Sequence, residues 1–326
     1  MAGPAPAMNV SGDFFAKRLE ASMSLLIEQA LNGVQLGVML FLLAAGLTLI
    51  FGIMGVINLA HGSLYMIGAF AMAWVANVTG SFLLAAFAGL LAAGAIGMLM
   101  EYFVIRKLYA RDHLDQVLAT FGLILFFNQL TVLLFGRQPL FVEIPDFLQG
   151  SILLFGDVRY PVYRIAIIAV GLLTAVGLYL LIARTRLGML IRAGATNRDM
   201  VRALGVDIRL LYTVLFGLGA MLAGLAGVMA GPILSVQVGM GEQVLILTFV
   251  VVVIGGVGSV RGAFVGAMIV GVVDTMLRAF LPQAFRQIMQ GPDADALAAG
   301  FSAMGVYMLM ALVLLVKPKG LMPAHG

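Results

Sequence analysis

The feature that most constrains this chain is a series of long apolar runs, at about 25–51, 63–78, 82–105, 116–135, 162–183, 210–234, 243–255, 262–281 and 296–316. A membrane span needs about 20 predominantly apolar residues, and most of these runs approach or exceed that length. A backbone in hydrocarbon must satisfy its own hydrogen bonds, which leaves helices or closed barrels. Ten-residue stretches of strict alternation, the mark of a barrel, are absent. The expected fold is therefore an all-α polytopic membrane protein, with about eight to ten transmembrane or re-entrant helices and some glycine-broken segments. Composition agrees: the chain is 62% hydrophobic and only 10% charged, against roughly 45–50% and 25% for soluble proteins.

Residues 1–24 read as a polar, irregular extension containing Pro4 and Pro6. Lys17 and Arg18 before an apolar run resemble a signal peptide, but the run is too long and lacks a small-residue cleavage site, so it reads as a retained first span. Residues 25–316 form one transmembrane domain, interrupted by a basic loop at 184–209 and followed by a tail at 317–326. Basic residues mark cytoplasmic loops. Arg106, Lys107 and Arg111 mark one. Arg184, Arg186, Arg192, Arg198, Arg202 and Arg209 mark another, and Lys317 and Lys319 follow the last run. The number of intervening runs is consistent with all three lying on one side. Segment 136–161 and the stretch from Pro282 to Asp295 then belong on the other. The net charge of +4 thus reports orientation and not nucleic-acid binding.

Several functions are excluded. The chain has no cysteine, so disulfides, cysteine–zinc sites and iron–sulfur clusters are ruled out. No Lys is followed by Ser or Thr, so the phosphate-binding loop of ATPases is missing, and no interval outside the runs could hold an ATP-binding domain. No metal site is expected: His61 lacks a second ligand at suitable spacing.

Four segments could carry function. The first, Gly52 to Ser63, joins two apolar runs with almost no polar loop. Gly55, Asn58, His61, Gly62 and Ser63 there suggest a broken helix, and unwound backbone at membrane depth occurs only inside protein or along an aqueous cavity. The alternative is a tight turn with Asn58 capping the second helix. The second, Gly255-Gly256-Val257-Gly258-Ser259-Val260-Arg261-Gly262, follows a run too short for an ordinary span, which reads as a half-helix. Paired glycine-broken segments point to a transport path. Gly258, Gly262 and Gly266 share a face if the following helix includes all three. In the third, residues 184–207, Thr196 or Asn197 can cap a short helix that Gly205 ends. Met200, Val201 and Leu204 form an apolar stripe beside Arg198 and Arg202, as in a helix docking on a partner; a basic loop resting on anionic lipid has the same composition. The fourth, Leu218 to Gly231, places Ala220, Ala223, Gly224, Gly227 and Gly231 on a close-packing face.

Acids within spans are functional candidates. Glu28, Glu101, Glu242 and Asp274 qualify. Glu101 and Glu242 lie near span ends and are expected to be hydrated, whereas Asp274 is expected to pair with Arg278 four residues on.

Gly46-Leu47-Thr48-Leu49-Ile50-Phe51-Gly52 followed by Gly55-Val56-Ile57-Asn58-Leu59-Ala60-His61-Gly62 resembles the N-terminal signature of branched-chain amino acid permeases of the ATP-binding-cassette class. Arg184 to Arg192, Asn197-Arg198-Asp199 and Leu204-Gly205 resemble that family's coupling loop. Gly219 to Gly231, Gly255 to Gly266 and Lys317-Pro318-Lys319-Gly320-Leu321 also match. The chain is most similar to the shorter, H-type permease, although the loop lacks Glu-Ala-Ala and the N-terminal extension is outside the pattern. The resemblance implies a bacterial inner-membrane permease subunit with no catalytic residue and no bound cofactor. ATP would act on partner subunits. Expected partners are a second related permease, two P-loop ATPases and a periplasmic substrate-binding protein. Coupling is assigned to Arg192, Asn197, Arg198, Asp199, Arg202, Leu204 and Gly205. The translocation path is assigned to Gly55, Asn58, His61, Gly62, Ser63, Glu242, Gly255, Gly256, Gly258 and Ser259, and helix packing to Gly224, Gly227, Gly231, Gly262 and Gly266. The substrate is a branched-chain or related hydrophobic amino acid, although relatives carry urea, amides or aromatic acids. The competing reading is an ion-coupled secondary transporter driven through the four acids.

Overall fold

The computed structural model describes residues 10–154, 158–289 and 292–323; the side chains of 10–22, 198, 199 and 292 lie outside that set. The helices are α1 Val10–Met54, α2 His61–Thr79, α3 Phe82–Phe103, α4 His113–Phe135, α5 Val162–Arg184, α6 Arg186–Thr196, α7 Arg198–Ala203, α8 Ile208–Ala230, α9 Met240–Gly255, α10 Val260–Ile288 and α11 Pro292–Val316. Among the described residues, eight segments are long and apolar enough to cross a membrane, and Met240–Gly255 is a shorter apolar helix. Each of the nine apolar runs thus has its helix.

α1 and α8 are the most enclosed elements, and α2, α3, α9 and α10 pack around them, while α4, α5 and α11 show most of their surface outward. Small residues set this closeness, because without a Cβ two backbones can touch and gain dispersion contacts where lipid offers no hydrophobic drive. A Cβ on Gly68 would stand 2.6 Å from Gly224 Cα, and one on Gly33 would stand 2.7 Å from Val272 Cα. Gly227 abuts the backbone of Tyr65, and Gly224 also faces Ala93. The face read from Leu218 to Gly231 therefore joins α8 to α2 and α3. Gly231 sits beyond it, in ordinary contact with Val236.

The bundle has two distinct ends. The basic end carries the loop at 104–112, α6, α7 and the tail from Lys317. The opposite end carries an antiparallel hairpin, β1 Ser151–Leu153 with β2 Arg159–Pro161, in which Ile152 pairs with Tyr160. There Leu140 and Val236 also exchange backbone hydrogen bonds, both 2.9 Å.

Three expectations need correction. Residues 10–24 continue α1 as helix instead of forming an irregular extension; Met1 to Asn9 lie outside the described residues. Pro282 falls inside α10, which runs on to Ile288, so the connection to α11 is shorter than the stretch from Pro282 to Asp295. Gly258 precedes α10, so only Gly262 and Gly266 share its packing face.

Candidate functional site

At the first discontinuity α1 ends at Met54, and Gly55, at φ +67°, turns the chain back into the bundle. Only glycine takes that conformation cheaply. Gly55 N–H still reaches Phe51 O at 2.9 Å, but beyond it α4 supplies partners: Ile57 N–H donates to Gln116 Oε1 at 3.1 Å and Leu59 N–H to Thr120 Oγ1 at 3.2 Å. His61, at the first turn of α2, is fully buried with Nε2 3.2 Å from Leu43 O. Leu43 is 11 residues before the end of α1, so α2 starts about 16 Å inside the bundle at 1.5 Å per residue. The segment is re-entrant.

Asn58 does not cap α2. The capping position is Ala60, with no side-chain hydrogen bond, and neither polar atom of the buried Asn58 amide has a partner. Gly62 meets Gly241 at the start of α9, where an added Cβ would stand 2.5 Å from Gly241 O. Glu242, in the first turn of α9, accepts a 2.5 Å hydrogen bond from Asn128 Nδ2 of α4. The N-termini of α2 and α9 therefore converge inside the bundle, with His61, Gly62, Ser63 and Glu242 around the junction. The half-positive ends of the two helix dipoles favour a carboxylate there.

The second discontinuity lies at the basic end. Gly256 and Gly258 both have positive φ, +103° and +82°, and Ser259 caps α10 by accepting from Gly262 N–H at 3.0 Å. The tail closes this turn: Leu321 N–H donates to Ile254 O at 2.8 Å and Met322 N–H to Gly255 O at 2.9 Å. These bonds satisfy carbonyls that every helix leaves bare at its C-terminus. Gly262 and Gly266 press onto α9, with Gly266 aimed at Val251 O. The two glycine-broken segments also touch, at Gly52 and Gly258.

The basic loop forms two short helices. Thr185 caps α6 through Gly188 N–H at 3.1 Å, and Asn197 caps α7 through Met200 N–H at 3.0 Å. Gly205 follows α7 at φ +85°. Asp207 caps α8 through Arg209 and Leu210 N–H. The expected stripe is divided: Val201 is 4% exposed and faces inward, whereas Met200 at 59% and Leu204 at 76% face outward. Arg192 and Arg202 are exposed. The expected roles of Arg198 and Asp199 fall on side chains outside the described residues. On its inner face α6 buries Ile191, and Gly194 sits against Ile53 of α1 and Leu211 of α8.

Glu101 is not hydrated. It is fully buried, and it binds Arg106 Nε (3.2 Å) and Nη2 (2.9 Å), the Tyr109 hydroxyl (2.5 Å) and Thr213 Oγ1 (2.7 Å). The hydrogen bond to Glu101 raises the Arg106 pKa above its ordinary value. Burial, then the same carboxylate, pushes the Tyr109 phenol well above the usual tyrosine range. The cluster fastens the basic-end loop to α3 and α8. The loop arginine was visible in the sequence, but Thr213, over 100 residues away, was not. Asp274 and Arg278 pair as expected, at 2.8 Å. No group of three or more potential metal ligands occurs among the described residues.

Comparison with known proteins agrees with this architecture. The family described as branched-chain amino acid transport system, permease component, matches residues 29–316. The high-affinity branched-chain amino acid transport system permease protein BraD of Pseudomonas aeruginosa is 30% identical over 91% of this chain and 95% of its own length. The corresponding LivH protein of Escherichia coli K12 is 28% identical over 91% and 95%. A probable LivH of Methanocaldococcus jannaschii is 26% identical over 76% of this chain and 79% of its own. No solved structure matches. With a family match across almost the whole membrane domain, this multi-pass chain belongs to the branched-chain amino acid transport permeases of the ATP-binding-cassette class.

Proposed function

We propose that the chain carries branched-chain or related hydrophobic amino acids across the bacterial inner membrane by alternating access. It acts with a second related permease, two P-loop ATPases and a periplasmic binding protein, and ATP is hydrolysed on the partner subunits. The basic end faces the cytoplasm, as its arginines and lysines favour. The route passes the junction of Gly62, Gly241 and Glu242, where helix N-termini converge.

The observation that carries this reading is the packing of α6 against α1 and α8, with Ile53 and Leu211 beside Gly194. α6 belongs to the loop that presents Met200 and Leu204 outward, and it rests on the last turn of α1, just before the Gly55 break. A displacement of the loop by an ATPase is thereby passed to the re-entrant segment. The test is purification of the chain with its associated subunits in mild detergent, then reconstitution with ATP inside vesicles and labelled leucine outside with the binding protein. Co-purification of two ATPases and a second permease, with ATP-dependent uptake, is the expected outcome. A chain that purifies alone and takes up substrate on an ion gradient would overturn it, in favour of coupling through Glu28, Glu101, Glu242 and Asp274.

A further inference from the structure

Away from the junction, at the hairpin end, α1, α5 and α10 line an open cleft of about 460 Å³. Its polar wall consists of Gln29, Asn32 and Gln35 from α1, Arg164 from α5, and Asp274 and Arg278 from α10. We propose that this cavity is a receiving site for a free α-amino acid, with its carboxylate on the Arg278 and Arg164 guanidiniums and its ammonium on Asp274. The assignment of ligand class rests on the importer reading above.

The charges are unevenly satisfied. Asp274 is 4% exposed, and its Oδ2 accepts from Arg278 Nε at 2.8 Å, while its Oδ1 is buried with no partner. A buried carboxylate oxygen without a donor is uncommon in a folded protein; rotation of the Asp274 carboxylate presents it to the cleft, where an ammonium brings three N–H donors. The Arg278 side chain is 57% exposed and engages Asp274 through Nε, which leaves its terminal amino groups for a second, planar acceptor. Arg164 donates through Nη1 to the neutral Asn32 Oδ1 and has no ion pair among the described residues. The lining thus holds two guanidiniums against one carboxylate, an excess positive charge that an incoming carboxylate neutralises. Glu28 makes no ion pair with either arginine among the described residues.

The position fits entry and not passage. Asp274 lies 14 residues from Val260, about 21 Å along α10, and Asn32 lies 20 residues from Gly52, about 30 Å along α1. The cavity is therefore near the outer edge of a hydrocarbon core about 30 Å thick. Beneath it α1 and α10 close on each other: Cβ atoms on Gly33 and Gly37 would stand 2.7 Å from Val272 Cα and 2.9 Å from Ala267 O. A ligand held here waits above a seam that only a relative movement of α1 and α10 opens.

The test uses the full chain with its co-purifying subunits, without the binding protein, in phosphatidylcholine nanodiscs. Binding of leucine is measured against 4-methylpentanoate, which lacks the ammonium, and isopentylamine, which lacks the carboxylate. Each analogue is expected to bind roughly tenfold or more weakly than leucine, and Asp274→Asn and Arg278→Gln to weaken leucine to a similar degree. The analogue series uses the unaltered protein and stands even if a variant misfolds. Equal binding of leucine and the analogues, or unchanged leucine binding in both variants, overturns the proposal. ATP-driven uptake by the same preparation separates the two readings. Uptake without charge-dependent binding sinks the cavity assignment alone. Charge-dependent binding with no ATP-driven uptake sinks the importer reading and leaves the cavity. A zwitterionic lipid headgroup shares this chemistry. Phosphatidylethanolamine that displaces leucine from the unaltered protein and is retained by it, but not by Asp274→Asn, overturns the amino acid as occupant.

Discussion

Gly52 packs directly on Gly258, so closely that a Cβ on Gly52 would stand 2.8 Å from Gly258 Cα. The two glycine-broken segments, more than 200 residues apart, thus form one junction at the basic end. Gly52→Val forces backbone against backbone, where no side chain can yield. Overpacking of this kind costs about 1–3 kcal/mol. The expected outcome is a lower unfolding temperature of the detergent-solubilised chain, and an unchanged melt would show that the contact is loose.

The outward face of the basic loop separates folding from coupling. Leu204→Asp changes an exposed side chain and is expected to alter stability by no more than about 0.5 kcal/mol. Uptake by the reconstituted transporter should nevertheless fall roughly tenfold, because an apolar anchor in a docking face is replaced by a charge. Wild-type uptake in this variant would remove Leu204 from the contact with the ATPase.

Gly205→Val is expected to act differently. At φ +85° a β-branched side chain is strained by about 1–2 kcal/mol, so α7 loses its stop. Limited proteolysis should cut the 197–207 segment faster than in the unaltered protein, and uptake should fall. Equal cleavage would mean that the loop tolerates another backbone path.

The Glu101 cluster has a pH signature. The folded-state pKa of Tyr109 is raised by burial and by Glu101, so its contribution to stability is complete below the unfolded value of about 10 and declines above it. Melts between pH 8 and pH 11 should show a steeper loss for the unaltered protein than for Tyr109→Phe. At neutral pH that variant should be less stable by about 1 kcal/mol, one hydrogen bond. Parallel pH curves would show that Tyr109 does not report on the cluster.

Much of this was legible in sequence because it is local. Apolar run length located the eight long apolar helices among the described residues and the shorter α9. The cap at Asn197, the stop at Gly205 and the pair of Asp274 with Arg278 all lie within one helical turn of their partners, where spacing alone decides. What was illegible depends on tertiary approach. Glu101 looked hydrated because its partner Thr213 is 112 residues away. Glu242 gave no sign of Asn128, 114 residues before it. The choice at Asn58 between a broken helix and a cap stayed open, because the sequence does not show that α4 takes over hydrogen bonding of the re-entrant segment through Gln116 and Thr120. Pro282 looked like a helix end, yet α10 absorbs it, in a helix long enough to extend beyond the apolar core.

The bonds from Leu321 and Met322 to the end of α9 have a consequence for biosynthesis. These residues leave the ribosome after every helix they touch. Until they arrive, all the spans can be in the bilayer while the carbonyls of Ile254 and Gly255 lack their final partners and the wall beside Gly256 is missing. Closure of the α9 turn is therefore the last contact of the fold to form, after the spans that it joins.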